Sequence, residues 1–341
     1  MSPSTAPEPG EHPSPLGTDT PAGALALGID AGGSSTRWLL VDPSGEAVGE
    51  GRLGPVSAIE LRPGVDAGPA IENLGRLAEQ VLSTALPSFV VAGVTGLDTG
   101  SPEASRLERF LCDRLGLADG KVAVLGDVIT AYLSVFAPGE GVLVYGGTGS
   151  VAVHVGSDGS VVRAGGHGYL IDDAGGGYWI GKEALKRLLR AADVTGSPPS
   201  GRLASAVFGA LGGSDWQTVR TAVYGGGRAR VAALASGVAL AASRGDKVAQ
   251  DVLAEAGREL ARLATVVCGR LGQAMPVALA GGVAASGAAL TEALAAGLPT
   301  GTPLRVSTAQ PVVAAADLAR QVLAGTKRLP PPPAGPAPSQ G

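Results

Sequence analysis

The chain of 341 residues is poor in several features that usually announce a function. It has two cysteines, three histidines and only 4% aromatic residues. Two cysteines without C-x-x-C spacing exclude a disulfide scaffold and a cysteine zinc site. Cys112 and Cys268 both fall in apolar helical patterns and read as small buried hydrophobes. His12 lies near the N-terminus and His154 in an apolar strand, so no two-histidine metal site or serine–histidine pair is readable. Charged residues make up 16%, and the 30 acidic and 26 basic ones form no block. That leaves no electrostatic footprint for nucleic acid or an anionic membrane surface. No apolar run reaches the roughly 18 residues that a membrane span needs. The first 23 residues carry no Lys, no Arg and no apolar core of a signal peptide. These absences predict a soluble, cytoplasmic protein.

What is abundant is glycine, with 54 residues, and proline, with 25. The prolines are local: six lie in residues 1–23 and six more in 329–341, which read as unordered tails. Glycine is spread through the chain without a G-x-y period, which excludes collagen. A hydrophobic content of 45% excludes bulk disorder. At about 150 residues per domain the length suggests two domains.

The pattern of apolar runs supports two. Ala24–Ile29, Arg37–Val41 and Ala47–Leu53 read as three strands of a meander, separated by Asp30-Ala-Gly-Gly-Ser-Ser-Thr36 and by Asp42-Pro-Ser-Gly45. Helical periodicity follows over 65–86, then a strand at Phe89–Val94, a helix at Pro102–Leu115, a strand at Val122–Leu125 and a helix at Ile129–Phe136. The pattern then restarts. Gly141–Tyr145, Val151–Val155 and Val161–Ala164 read as strands around Gly146-Gly-Thr-Gly-Ser150 and Ser157-Asp-Gly159. Helices are predicted at Lys182–Ala192, near 202–211 and 214–223, and at Ala229–Ser243, Asp246–Leu271, Gly287–Ala296 and Val312–Leu323. A strand at Val277–Ala280 precedes Gly281-Gly282. Strand, glycine-rich turn, strand, tight turn, strand thus occurs twice, the mark of a duplicated α/β unit. The two domains run from 24 to 138 and from 139 to 328, and the last helix could pack back onto the first.

Three glycine-rich turns each follow a buried strand, at Gly32-Gly33, Gly147–Ser150 and Gly281-Gly282. Glycine lets successive backbone N–H groups converge on an anion without Cβ crowding, and Ser and Thr hydroxyls add donors. Each alone could be an ordinary hairpin turn; two at matching positions of a repeat favour phosphate. Neither the P-loop nor the dinucleotide fingerprint is present. Asp30 ends the first strand beside such a turn, where a carboxylate can hold Mg²⁺. Asp127 ends another strand on the crevice side of the sheet, where it could accept a proton from a hydroxyl or cap the following helix.

These stretches resemble the fold shared by sugar kinases, Hsp70 and actin. Within it the chain is similar to the N-acetylglucosamine kinase group and the BadF/BadG/BcrA/BcrD ATPase family. The resemblance spans about residues 24–326. It is carried by Gly28-Ile-Asp-Ala-Gly-Gly-Ser-Ser-Thr36, Leu279-Ala-Gly-Gly-Val283 and the stretch from Gly141 to Leu189, with its Gly165-Gly-His-Gly168 and Asp172-Asp-Ala-Gly-Gly-Gly-Tyr-Trp-Ile-Gly-Lys-Glu-Ala184. It implies two similar domains of the actin-like ATPase, or ribonuclease H-like, α/β fold around a central nucleotide cleft. It further implies an ATP-dependent, Mg²⁺-requiring kinase acting on N-acetylglucosamine or a related amino sugar.

Carried over by residue, Gly32, Gly33, Ser34, Ser35 and Thr36 form the first phosphate loop, and Gly147, Thr148, Gly149 and Ser150 the second. Gly281 and Gly282 form the adenosine motif, Asp30 is the carboxylate near the metal and Asp127 the catalytic base. Ser57, Thr95, Gly166, His167 and Asp173, with Asp127, fall where the sugar is held. His167 equally suits a structural role. Tyr178 and Trp179 read as core packing before a helix. The resemblance also implies a homodimer, although no dimer surface is marked in the sequence.

The departures fall on the sugar side. The family's Gly-Gly-Trp-Gly is Gly165-Gly-His-Gly168, its Gly-Asp-Glu-Gly-Ser is Asp172-Asp-Ala-Gly-Gly176, and its asparagine after the third strand is Ser57. ATP use is therefore better supported than the identity of the acceptor. Two other readings stay open. One is an ATPase activator of a radical dehydratase, which would hold a [4Fe–4S] cluster between subunits through cysteines. The other is a non-catalytic, sugar-sensing relative.

Overall fold

A computed structural model describes residues 23–33, 35–58 and 67–331. The predicted tails lie outside the described residues, apart from Gly23 and 329–331. The first unit opens with β1 (Ala26–Ala31), β2 (Thr36–Val41) and β3 (Ala47–Leu53), an antiparallel meander. Helix α1 (Gly68–Thr84), β4 (Phe89–Val94), α2 (Pro102–Leu115), β5 (Val122–Gly126) and α3 (Asp127–Val135) complete it. β4 joins β1 in parallel and β5 joins β4 in parallel, giving the sheet order β3-β2-β1-β4-β5. Every residue of β4 is buried because helices cover both faces of the sheet, which is why it reads as an unbroken apolar run.

The second unit repeats this arrangement. β6 (Val142–Gly146), β7 (Ser150–Val155) and β8 (Val161–Gly165) form an antiparallel meander. After α4 (Gly177–Thr195), α5 (Arg202–Leu211), α6 (Trp216–Ser243) and α7 (Lys247–Leu271), strand β9 (Val277–Ala280) pairs in parallel with β6. Helix α8 (Ala288–Gly297) leads to β10 (Leu304–Val306), parallel to β9, and α9 (Pro311–Leu323) closes the chain. The order β10-β9-β6-β7-β8 is the first sheet's order with each strand replaced by its counterpart. The duplication read from the sequence is thus present in strand pairing and direction, and the fold class is the α/β actin-like ATPase fold.

Three cores hold the molecule together. Leu27, Ile29 and Val90 of the first sheet pack against α1 and α2, while Val142, Val144 and Leu279 of the second pack against α4 to α8. The third core lies between the sheets, where α3 and α9 fill the space between Val91 of one and Leu143, Val153 and Ala280 of the other. Helix α9 therefore does return to the first sheet. It approaches so closely that a Cβ on Gly28 of β1 would overlap the backbone of Ala316.

Five elements depart from the expected reading. α3 starts at Asp127 and α4 at Gly177, earlier than the periodicity indicates. The helices expected near 214–223 and 229–243 are one helix, Trp216–Ser243, broken at Gly227 with φ 61° and ψ −161°. β10 was not anticipated; its three residues, partly or fully exposed at a sheet edge, are too few to mark a strand by alternation. The helix expected over 65–86 begins at Gly68, and residues 59–66 lie outside the described residues.

Candidate active site

A cavity of about 910 Å³ opens at the carboxyl ends of the parallel strands, between the two sheets. This is where open α/β sheets place ligands, because the loops leaving the strand ends converge there. Asp127 stands at its floor as the first residue of α3. Gly126 holds the N-cap position, so Asp127 does not cap the helix. Instead its Oδ2 accepts a hydrogen bond from Thr95 Oγ1 (3.1 Å), and its Oδ1 accepts from the amide of Val128 (2.9 Å). Burial raises the pKa of this carboxyl, and those two hydrogen bonds pull it partly back.

Asp30 lies near the end of β1, in register with Arg37 of β2 and Gly93 of β4. Its pKa is raised from 3.8 to about 6, first by burial and then by the charge of Asp127, against the opposing pull of Arg37. Burial, and after it the charges of Asp127 and Asp30, push the Tyr145 hydroxyl up. Asp30, Asp127 and Tyr145 also line a second cavity of about 20 Å³ together with Gly281. Two acids at the floor of a cleft, one raising the pKa of the other, are a pattern met at functional sites and in structural charge networks alike.

The two turns at equivalent strand ends face this floor. In the first, the Gly32 amide donates to the Ser35 carbonyl (3.1 Å), and the Gly32 carbonyl accepts from Val56 (3.1 Å). In the second, the Gly147 amide donates to the Gly149 carbonyl (2.9 Å). The carbonyls of Gly147 and Thr148 accept from the amides of Gly177 (2.8 Å) and Tyr178 (2.9 Å), so the start of α4 docks on the turn. This satisfies donors that the first helical turn cannot pair internally. It also explains the run Gly175-Gly-Gly177: a Cβ on Gly176 would meet the backbone of Gly149 at 2.6 Å. The glycine run is a packing device.

Asp173 packs against the same turn. It is buried, accepts a hydrogen bond from the Gly168 amide (3.2 Å) and has φ 60°, the one described non-glycine residue in the left-handed region. Such a backbone costs about 1–3 kcal/mol and persists where surroundings impose it. Burial raises its carboxyl pKa.

The cavity is lined by Asp30, Gly32, Gly33, Ser35, Thr95 and Asp127 from the first unit and by Gly147–Ser150, Gly166 and Asp173 from the second. Ser34 lies outside the described residues. Thr36 is buried at the start of β2, Ser57 is buried beside Val56, and His167 is exposed; none of the three lines the cavity. Gly281 follows β9 with φ 90°, and a Cβ there would stand 2.5 Å from the Gly146 carbonyl oxygen. Gly282, beside it, opens a short 3-10 turn and lines neither cavity. Asp172 turns away toward Arg262 (3.7 Å), and Ala174 contributes its carbonyl to Ser150 Oγ (2.8 Å). Trp179 packs against the second core, while Tyr178 stacks edge-on to Tyr169. Cys112 and Cys268 are buried in separate cores.

Sequence reasoning missed Arg37, Tyr145, Tyr169 and Arg228, all of which line the cavity. Arg37 could have been found from hairpin register opposite Asp30, and Tyr145 from its place just before the second turn. Arg228 has a weaker signal, the run Gly225-Gly-Gly227 that precedes it.

Residues 27–300 match the model of the BadF/BadG/BcrA/BcrD ATPase family. No curated protein matches the sequence significantly. Among solved structures, a candidate N-acetylglucosamine kinase from Chromobacterium violaceum is 26% identical, with a TM-score of 0.57, covering 88% of this chain and 100% of its own. A candidate N-acetylglucosamine kinase from Porphyromonas gingivalis is 17% identical, with a TM-score of 0.64 over 87% of this chain and 99% of its own. A ROK family glucokinase from Streptomyces griseus, solved with glucose and AMPPNP, is 16% identical, with a TM-score of 0.61 over 87% of this chain and 100% of its own.

Proposed function

Because this chain belongs to the BadF/BadG/BcrA/BcrD ATPase family, we propose that it is an ATP-dependent sugar kinase whose acceptor is an amino sugar, N-acetylglucosamine or a related hexosamine. The observation that carries the reading is Asp127, a half-buried carboxylate at the floor of a cleft between two equivalent glycine-rich turns. The second support is the likeness to the Chromobacterium violaceum protein over nearly the whole of both chains. A cavity of about 910 Å³ sits at the upper end of the usual range for ligand sites, as a nucleotide with a hexose would require.

In this reading Asp127 accepts the proton of the attacking sugar hydroxyl, and Thr95, already bonded to it, holds it in place. The raised pKa makes the carboxylate a stronger base for that proton than a free one. Asp173 and Gly166 line the acceptor side, where Ser57 and His167 reach the sugar only if the cleft closes. The Gly32 and Gly147 amides are spent within the turns, the Thr36 amide on Gly54 and Ser150 Oγ on Ala174. Among the described residues Gly33, Ser35, Thr148 and Gly149 are therefore the ones left to bind phosphate oxygens, and Gly281 and Gly282 let adenosine approach β9. Positioning and charge neutralisation supply most of the acceleration in phosphoryl transfer.

Magnesium fits the residues present. Among the described residues no three potential ligands cluster, and Mg²⁺ needs only one or two carboxylates when phosphates and water complete its shell. Asp30 would hold it, and the ion would supply neutralisation of phosphate charge. Residues 24–138 and 139–328 would move as two domains that exclude water on closing, with α9 of the second resting on the first sheet.

No helix among the described residues is long and apolar enough to cross a membrane. The proposed setting is cytoplasmic, with ATP and sugar as small-molecule partners. A coupled assay of ADP release over hexosamines and their N-acetyl derivatives with MgATP tests the reading. Release that depends on one of these sugars supports it; no release with any of them refutes it and favours a sugar-sensing role.

A further inference from the structure

Three guanidinium groups line the large cavity, and two of them are already committed. Arg37 donates to Gln310 Oε1 (3.1 Å) and faces Asp30 across the β1–β2 pair. Arg163 donates to the carbonyls of Gly165 (3.3 Å) and Gly166 (2.7 Å). Arg228 is exposed, and among the described residues no hydrogen-bond acceptor or carboxylate of the protein engages it. Its guanidinium carbon lies 6.0 Å from the centre of the Tyr169 ring, which steadies it from one side. On the other side, one of its terminal nitrogens stands 3.2 Å from where a Cβ on Gly33 would be. A side chain of the second unit thus reaches the glycine-rich turn of the first.

The backbone explains how it gets there. Gly227, at φ 61°, interrupts α6 so that the helix restarts at Arg228, and Arg228 and Ala229 both line the cavity. A non-glycine residue at 227 would resist that break. Asp30 and Asp127 line the same cavity, and among the described residues no acceptor of the protein takes up the five N–H donors of Arg228. A planar fork of donors held over a glycine turn matches the oxygens of a phosphoryl group, which it can engage bidentately.

We propose that Arg228 is the clamp that the second unit lays over the β- and γ-phosphates of the nucleotide held by the Gly32–Gly33 turn. The proposal deepens the kinase reading and rests on it. Gly33 is part of the device, since a side chain there would press on the guanidinium. Arg228 thus already bridges the two units at Gly33, and phosphates bound on the turn would take up its unspent donors.

Titration calorimetry with AMPPNP and with AMP, on the intact protein and on Arg228→Ala and Arg228→Lys, tests it. Arg228→Ala should weaken AMPPNP binding about 10- to 100-fold, the range for losing a charge-assisted fork, and leave AMP binding unchanged. Arg228→Lys should fall between, keeping the charge without the fork. Equal AMPPNP affinity in Arg228→Ala and the unaltered protein would overturn the clamp, and so would an equal loss for AMP. If the unaltered protein transfers phosphate to a sugar while Arg228→Ala binds AMPPNP normally, only the clamp fails. If the unaltered protein binds no nucleotide, the kinase reading fails with it. Because Arg228 is exposed, its substitution should leave the melting temperature in place, which separates loss of the clamp from loss of the fold.

Discussion

Asp30 carries a destabilising charge that the site has kept. Its pKa of about 6 in the fold, against 3.8 for the free group, means that the folded chain holds this proton more tightly than the unfolded one. The stability from this proton is full below pH 4 and is lost as the pH rises through about 6. Asp30→Asn should therefore raise the stability of metal-free protein at pH 8 by about 1–2 kcal/mol, after allowing for screening at the cavity mouth, and give no gain at pH 4. Thermal melts in EDTA at the two pH values check this; an equal gain at both would show that charge is not the cause. A second residue test concerns the turn beside Asp173. A Cβ on Gly149 would overlap the Asp173 carboxylate, which the Gly168 amide already holds. Gly149→Ala should displace Asp173 and disturb the second phosphate turn together, read as a rise in KM for both the sugar and ATP; no change in either would contradict this packing.

At the scale of elements, the closest packing in the first unit is α9 on β1. Gly28→Val would force Ala316 and its helix off the sheet, at a cost of about 1–3 kcal/mol or more from overpacking. Gly75→Ala, in α1 with open space around it, should instead add about 0.5–1 kcal/mol through helix propensity. Urea midpoints for the two variants should move in opposite directions; movement in the same direction would contradict this packing. The contrast shows what a sequence does and does not display. The strands of both meanders and the helices α2 and α9 are legible because alternation and periodicity are local properties. Neither the closeness at Gly28 nor the docking of Gly176 on Gly149 has a local signal, since each depends on a partner far away in the chain. β10 was hidden for a related reason: a short exposed edge strand is defined by its neighbour, β9. In the site, the turns, Asp30 and Asp127 were legible from chemistry after a buried strand. Arg37, Tyr145 and Arg228 were not, because only strand register and the break at Gly227 bring them to the cavity.

At the scale of the molecule, two five-stranded sheets of one topology face each other across a shared core of α3 and α9, and the cleft lies where their strand ends converge. Asp127 comes from one unit and Asp173 from the other, so the account places the phosphoryl donor and acceptor between two bodies. Its central claim is that Asp127 takes the proton of a sugar hydroxyl as phosphate leaves ATP. The most direct test is transfer of the labelled γ-phosphate of MgATP to the hexosamine that supports turnover, compared between the intact protein and Asp127→Asn. The intact protein should yield labelled sugar phosphate, and the variant a rate lower by about 10²–10⁴-fold or more with AMPPNP affinity unchanged. Transfer at the same rate by Asp127→Asn would contradict it.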